Sequence, residues 1–272
     1  MEKISRKSFV KGALGLGLTG VLAGCASSAS RTAASASSTA APAEKKEFTF
    51  ADTVRWDAQY DVVVMGMGAA GMVAAKTAAD NGAKVVIVEK CEEGKAGGNT
   101  KVCGQLFAYA NGDKDAAKSY YTALAGGRDI EPEIIDAISE GVANMADILA
   151  DEFGFNKDEY MDWTGVNVGG TNMGAMSPEY PEMPGHEKMA LWTTHAGASD
   201  GYLYQGLKQN VTDRVDAIDV WYSSPAKSLI QDPVTKTVVG VTVERDGKEM
   251  NIRALNGVCI CTGGFECNKE MV

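Results

Sequence analysis

Val62-Val63-Val64-Met65-Gly66-Met67-Gly68-Ala69-Ala70-Gly71 runs from an apolar stretch opening at Asp61 into three glycines spaced G-x-G-x-x-G. A second apolar run, Val85 to Val88, ends on Glu89, 23 residues after Gly66. Three glycines at this spacing make physical sense where a strand turns sharply into a helix. Gly66 makes the turn, Gly68 lets a pyrophosphate approach the backbone, and Gly71 lets the helix lie close to the sheet. The small residues from Gly71 to Ala79 read as that helix, and Asn81-Gly82 as its stop. The pattern predicts a dinucleotide-binding βαβ unit whose helix N-terminus faces the phosphates.

Glu89 stands where an acid accepts hydrogen bonds from the adenosine ribose hydroxyls, which NAD and FAD share. The segment Glu89-Lys90-Cys91-Glu92-Glu93-Gly94-Lys95-Ala96-Gly97-Gly98-Asn99-Thr100, followed by Val102-Cys103-Gly104-Gln105, decides between them. A second glycine-rich loop so soon after the acid has no task in a classical NAD domain. FAD extends past the pyrophosphate and needs backbone donors along its ribityl chain and ring, so FAD is the expected cofactor.

With these residues in place, the chain resembles the FAD-binding domain of the flavoprotein family of fumarate reductases and succinate dehydrogenases. That family includes flavocytochrome-type reductases, urocanate reductases and 3-oxosteroid dehydrogenases. Tyr60-Asp61-Val62-Val63-Val64 resembles the opening of its fold, Gly97-Gly98-Asn99-Thr100 its G-G-N-[ST/A] loop, Tyr180-Pro181-Glu182-Met183-Pro184-Gly185 its Y-P-x-x-P-G loop, and Cys261-Thr262-Gly263-Gly264-Phe265 its A-T-G-G-F strand end. The likeness covers about residues 55 to 272. It implies an α/β, Rossmann-like FAD-binding domain with a parallel sheet and an antiparallel β-meander. The implied cofactor-binding set is Gly66, Gly68, Ala69, Ala70, Glu89, Lys90, Gly98, Asn99, Thr100, Gly104, Gln105, Ala226 and Gly263. Within it, Ala226 offers its backbone to the adenine, and Gly263-Gly264 lets the chain pass close to the cofactor. No metal ligands are implied.

Residues 1–24 belong to export. Lys3, Arg6, Lys7 and Lys11 form a basic region, Gly12 to Gly24 is mildly apolar, and Leu22-Ala23-Gly24-Cys25 resembles the lipobox at which a bacterial lipoprotein is cleaved and acylated on cysteine. Thirteen residues are fewer than the about 20 that span a bilayer. Ser5-Arg6-Lys7-Ser8-Phe9-Val10-Lys11 resembles a twin-arginine signal with Lys7 in place of the second arginine; an ordinary Sec signal or an uncleaved anchor is the alternative. Residues 25–54 read as a tether, its stretch to Glu47 rich in alanine and serine and too poor in apolar bulk to pack. Cys25 is the expected lipid anchor. The expected location is the outer side of the cytoplasmic membrane, as a cell-envelope lipoprotein.

The chain carries a net charge of −10, and residues 1–24, net +3, are expected to be removed. An acidic surface argues against nucleic acid as a partner. Six cysteines stand at 25, 91, 103, 259, 261 and 267. Cys91 and Cys103 fall in the flavin loops, and Cys259 and Cys261 alternate on one predicted strand as small buried hydrophobes, so free thiols are expected. The spacing of Cys259, Cys261 and Cys267 matches no ferredoxin pattern, and no C-x-x-C-H is present for a c-type haem.

Helical periodicity covers Asp115 to Leu124 and Pro132 to Asp151, the latter through Ile134, Ile135, Ile138, Val142, Met145, Ile148 and Leu149. Phe153 to Ser199 reads as one long loop holding both histidines, His186 and His195, expected to be surface residues, with an active-site role as the alternative, since in the family this region lies near flavin and substrate. A helix follows from Tyr202 to Gln209. Strands are expected at Asp219 to Tyr222, Ser228 to Gln231, Val238 to Arg245 and Glu249 to Ala254, forming the meander, with Asp246-Gly247 as a hairpin turn. Val258 to Cys261 is expected to return, buried, to the parallel sheet.

In the family this resembles, a capping domain follows the T-G-G-F strand, and a second stretch of FAD domain completes the site. The cap is absent from this chain, which is therefore expected to be the N-terminal portion of a longer protein. The residues that clamp and protonate substrate would lie beyond position 272, leaving no catalytic residue within this chain. The expected function is an exported FAD-dependent oxidoreductase that reduces an activated C=C bond of a fumarate-like or other α,β-unsaturated small molecule. Its electron donor would be quinone-linked or a cytochrome. Alternatives are a 3-oxosteroid-type dehydrogenase and a truncated, non-catalytic flavin-binding fragment.

Overall fold

A computed structural model describes residues 48–164, 166–168, 171–172, 180–197, 200–265 and 268–270. The export signal, most of the tether, Cys25 and Cys267 lie outside the described residues. In chain order the elements are β1 (Ala58–Met65), α1 (Ala69–Asp80), β2 (Val85–Val88), α2 (Gly98–Val102), β3 (Phe107–Tyr109), α3 (Lys114–Leu124), α4 (Pro132–Ala143), α5 (Met145–Phe153), β4 (Met161–Asp162), β5 (Asn167–Val168), β6 (Thr171–Asn172), β7 (Ala190–Thr193), α6 (Tyr202–Thr212), β8 (Ile218–Trp221), β9 (Ala226–Gln231), β10 (Val238–Arg245) and β11 (Lys248–Ile260).

The βαβ unit forms where the sequence places it. β1 and β2 run parallel, Val62 opposite Val85 through Met65 opposite Val88. Their paired stretches, Val62–Met65 and Val85–Val88, are unbroken apolar runs because both faces are covered. Val62, Val64, Val85 and Ile87 point to Met72 and Ala75 of α1 and to Leu207 and Val211 of α6. Val63, Val86 and Val88 point the other way, onto Val241, Val243 and Ile252 from the antiparallel end of the sheet. At about 25 cal/mol per Å2 of apolar surface, each such fully buried aliphatic side chain contributes roughly 1.5–3 kcal/mol.

The main sheet has the order β8-β2-β1-β11-β10-β9. Two expectations are corrected here. The strand expected at Asp219 to Tyr222 is not part of the meander: β8 lies parallel to β2 at the far edge, Val85 opposite Ile218. α6 packs over the sheet and returns the chain to that edge, where Ile218 is buried in the helix-side core. The two strands expected at Glu249 to Ala254 and Val258 to Cys261 are one, β11, antiparallel to β10 from Lys248 through Arg253 and parallel to β1 from Ile252 to Ile260. Gly257, at φ +141°, absorbs the bulge between the Tyr60–Ala254 and Val62–Gly257 pairs. The C-terminal end of β11 is also less covered than expected, with Cys259 and Cys261 half-buried and Ile260 63% exposed.

The single helix expected from Pro132 to Asp151 is two. It breaks at Asn144 (φ −109°, ψ 9°), because the carbonyls of Val142 and Ala143 accept from the amides of Ala110 and Gly112 instead of continuing the helical ladder. Asn144 Nδ2 donates to the Glu140 carbonyl and closes α4. The stretch expected to be a plain loop from Phe153 to Ser199 holds short strands. β7 lies between β3 and β4 in a three-stranded sheet, and β5 pairs with β6. Strands of two to four residues leave no readable alternation.

α1, α5 and α6 meet at a charged corner. Arg214 grips Asp80 through Nε (2.5 Å) and Nη2 (3.2 Å), while Lys76, only 7% exposed, pairs with Asp80 at 3.0 Å and sits 4.8 Å over the Phe153 ring. Arg214, and then Lys76, hold the Asp80 carboxyl below its ordinary value. A depressed carboxylate contributes stability that is complete above the unfolded value of about 4 and is lost as pH falls through the folded value. Arg214→Ala is therefore expected to lower stability at neutral pH and to shallow the acid limb of unfolding below about pH 4. Urea unfolding at a series of pH values reads this, and an unchanged acid limb would rule the pairing out as a source of stability.

Candidate functional site

The C-terminal ends of β1, β2 and β11 lie side by side, and the glycine turn crosses between them. Open α/β sheets take ligands at this end. Each glycine has a distinct reason to be there. Gly66 has φ +100°, and a Cβ on it would stand 2.5 Å from the Cys261 carbonyl oxygen. On Gly71 a Cβ would stand 1.9 Å from the Gly66 oxygen, so α1 leaves β1 too closely for any side chain.

Gly68 differs from both. Its backbone (φ −79°, ψ −175°) suits any residue, and the atoms nearest an added Cβ are Thr100 Oγ1 at 3.6 Å and the Gly97 oxygen at 3.9 Å, both ordinary contacts. Nothing among the described residues demands glycine at 68. A ligand pressed against the backbone at the α1 N-terminus does demand it, and a pyrophosphate fits that place. The residues present therefore suit a dinucleotide.

Glu89 is 6% exposed and follows β2 directly. Its Oε2 accepts from the Met67 amide at 2.8 Å and its Oε1 from the Cys91 amide at 2.9 Å. The carboxylate thus ties the glycine turn to the loop beyond β2, and each oxygen keeps further acceptor capacity for ribose hydroxyls. The Glu89 carbonyl accepts from Ser224, whose side chain is wholly buried, and the Cys91 carbonyl accepts from Ser223. Ala226 lies two residues beyond Ser224, which brings it to the same end. Arg245 stacks 4.7 Å from the centre of the Trp221 ring and donates to Ser224 Oγ. These Ser224 and Arg245 contacts escaped the sequence reading; the Ser223-Ser224-Pro225 turn before β9 was their only signal.

The second glycine loop joins the first. Ala69 N donates to Thr100 Oγ1 at 2.9 Å, which brings the α2 loop to the α1 N-terminus. Gly97 (φ +122°) packs beneath the Tyr204 ring, where a Cβ would come within 2.5 Å. Lys101 reaches back to the Gly94 carbonyl and lies over the same ring at 5.6 Å. Gly98 and Asn99 are exposed on this loop, as are Ala70 and Lys90 at its flanks. Gly104 is partly buried, whereas Gln105 is 1% exposed. Gly263 has φ +75° with open space about it.

The histidines part company. His186 opens a short 3-10 turn, His186–Lys188, with Nδ1 2.9 Å from the Met183 carbonyl. His195 is not the surface residue expected: its side chain is 20% exposed, Nε2 lies 2.6 Å from Asp200 Oδ2, and its ring stacks on Tyr202 at 4.1 Å. The Tyr202 amide, with His195 after it, holds the Asp200 carboxyl below its usual range. The pair caps the start of α6. Cys91, Cys103, Cys259 and Cys261 are free thiols, and burial pushes Cys91, Cys259 and Cys261 upward.

A family model described as an FAD binding domain matches residues 61–271. The chain is 30% identical over 223 residues to an NADH:fumarate oxidoreductase of Klebsiella pneumoniae, covering 78% of this chain and 21% of that protein. It is 25% identical to a 3-oxosteroid 1-dehydrogenase of Comamonas testosteroni, covering 78% of this chain and 48% of that one. Among solved structures, the 3-ketosteroid Δ1-dehydrogenase of Sterolibacterium denitrificans superposes with a TM-score of 0.63 at 20% identity, over 78% of this chain and 49% of the other, which establishes a shared fold. The chain thus spans about half or less of the length of these relatives.

Proposed function

The chain belongs to the FAD-binding domain family, and from that premise we propose that it is the cofactor-holding part of an exported oxidoreductase reducing an activated C=C bond of a fumarate-like or other α,β-unsaturated substrate. The observation that carries the cofactor half is the Gly68 turn, open to a ligand and clasped by buried Glu89. Similarity to the Klebsiella fumarate oxidoreductase supports the substrate class. Bound FAD supplies hydride transfer.

This chain's residues bind and orient. The α1 N-terminus at Gly68 to Ala70 faces the pyrophosphate, where the helix dipole favours negative charge, with the Ala69 amide itself held by Thr100 Oγ1. Glu89 accepts from the ribose, with Lys90 beside it, and the Ala226 backbone meets the adenine. Gly98, Asn99, Thr100, Gly104 and Gly263 lie along the course of the ribityl chain and ring. Similarity to the Comamonas enzyme supports a second reading, a 3-oxosteroid-type dehydrogenase working in the oxidative direction.

The test is anaerobic. The whole protein, of which we propose this chain to be the cofactor-holding part, is loaded with FAD; its dithionite-reduced form is offered fumarate or urocanate and its oxidised form a 3-oxosteroid, while flavin absorbance is followed. Reoxidation by an unsaturated acid is expected. Reduction of the oxidised flavin by the 3-oxosteroid, with no reoxidation by the acids, would move the assignment to the second reading, and neither reaction would leave a flavin-binding module. We further propose that Cys25 carries a lipid that anchors the protein outside the cytoplasmic membrane. Cys25→Ala is then expected to release it into the soluble fraction.

A further inference from the structure

Gln105 has φ +62°, a left-handed conformation that L side chains rarely adopt and that favours glycine, asparagine or aspartate. Two residues before strand β3, in a loop already rich in glycine, nothing in the backbone calls for a glutamine. Yet its side chain is 1% exposed and fully engaged. Nε2 donates to the Thr100 carbonyl at 2.6 Å and to the Cys103 carbonyl at 3.2 Å, and Oε1 accepts from the Tyr204 amide at 3.3 Å. Thr100 in turn accepts from Ala69 through its hydroxyl.

The contacts form one continuous chain of hydrogen bonds. It starts in the first turn of α6, where Tyr204 N has no helical carbonyl to bond, passes through the Gln105 amide to the main chain of Thr100, and ends through the Thr100 hydroxyl on the first amide of α1. The same first turn of α6 presses the Tyr204 ring on Gly97. The loop 97–105 is thus held from both sides by α6, and Gln105 is the link whose loss would free it.

We propose that Gln105 is a positioning residue for the cofactor: its side chain presets the second glycine loop against the α1 N-terminus, so that binding does not have to order that loop. This rests on the FAD reading above, and departs from a direct ligand role for the Gln105 side chain, which is 1% exposed and bonds the protein through both Nε2 and Oε1. Ordering that is complete before binding appears as affinity.

The test uses Gln105→Gly, which suits the left-handed backbone while removing the amide, and Gln105→Glu, which keeps the shape but turns a donor into an acceptor facing two carbonyls. Hydrogen–deuterium exchange on the cofactor-free protein is expected to speed up over 97–105 and at Ala69 in both variants, with the β1 amides Val62 to Val64 unchanged. FAD titration is expected to show about a tenfold weaker Kd for both. Exchange over 97–105 equal to wild type would overturn the proposal, as would a Gln105→Gly protein that binds FAD as tightly as wild type. If the loop opens in the variants but the wild type takes up no FAD, the positioning role stands and the assignment of FAD binding to this chain alone falls.

Discussion

Gly71→Ala is expected to destabilise the domain by about 3 kcal/mol or more and to abolish FAD retention, while Gly68→Ala keeps stability within about 1 kcal/mol of wild type and loses only the cofactor. The two positions are three residues apart in one motif, yet their surroundings predict opposite outcomes. At Gly71 the new Cβ would lie 1.9 Å from the Gly66 carbonyl oxygen and 3.4 Å from Val64 Cγ1. The obstacle is backbone, so relief requires α1 to lift from β1. That opens the Met72 and Ala75 contacts of the helix-side core. At Gly68 the same methyl meets no atom closer than 3.6 Å. It stands instead at the α1 N-terminus, in the space assigned to the pyrophosphate, and about a tenfold or greater rise in the FAD Kd follows. Urea unfolding of the cofactor-free variants, paired with FAD titration, separates the two effects. A Gly71→Ala protein as stable as wild type would show that α1 can shift cheaply; a Gly68→Ala protein with wild-type affinity would remove the pyrophosphate from that turn.

How much of this was legible beforehand depends on the range of the interaction. The βαβ unit could be read because each of its signals is local: an apolar run buried on both faces, glycines where a backbone must pass, an acid at a strand end. β8 was misplaced because its four residues look the same in either partnership, and only α6 packing on the sheet decides which edge they join. The helix break at Asn144 depends on amides of Ala110 and Gly112, more than 30 residues earlier. No window of sequence contains that competition for carbonyls. His195 is similarly hidden, since Tyr202, on which its ring stacks, belongs to the next helix.

Within the site, glycine spacing located the turn but could not separate a glycine required by the protein from one required by a ligand. That distinction needs the neighbouring atoms: Cys261 packed on Gly66, Gly66 on Gly71, and open contact at Gly68. Gln105 was legible as part of the flavin loop, yet its bonds to Thr100 and Tyr204 were not, because Tyr204 is 99 residues further along.

Glu89 is where structure and cofactor recognition coincide, and its variants are expected to separate them. Glu89→Ala removes two charge-assisted hydrogen bonds from a site only 6% exposed. The Met67 and Cys91 amides lose their acceptor, at a cost of about 3 kcal/mol together. The glycine turn loses its tie to β2, and FAD binding falls with it. Glu89→Gln keeps the shape and one oxygen, but its NH2 group must then face one of the two amides, donor against donor. Stability is expected to fall by roughly 1–2 kcal/mol. Affinity for FAD should drop about tenfold, because a neutral carbonyl accepts ribose hydroxyls less strongly than a carboxylate. The informative quantity is the order of the three proteins in both measurements. If stability falls from Glu to Gln to Ala while affinity is lost equally in both variants, charge is what the ribose reads. If Glu89→Ala unfolds at the same urea concentration as wild type, the carboxylate does not hold the turn, and the link from β2 to the Gly66–Gly71 motif must be sought in the Gly66 amide, which donates to Val88 at 2.8 Å.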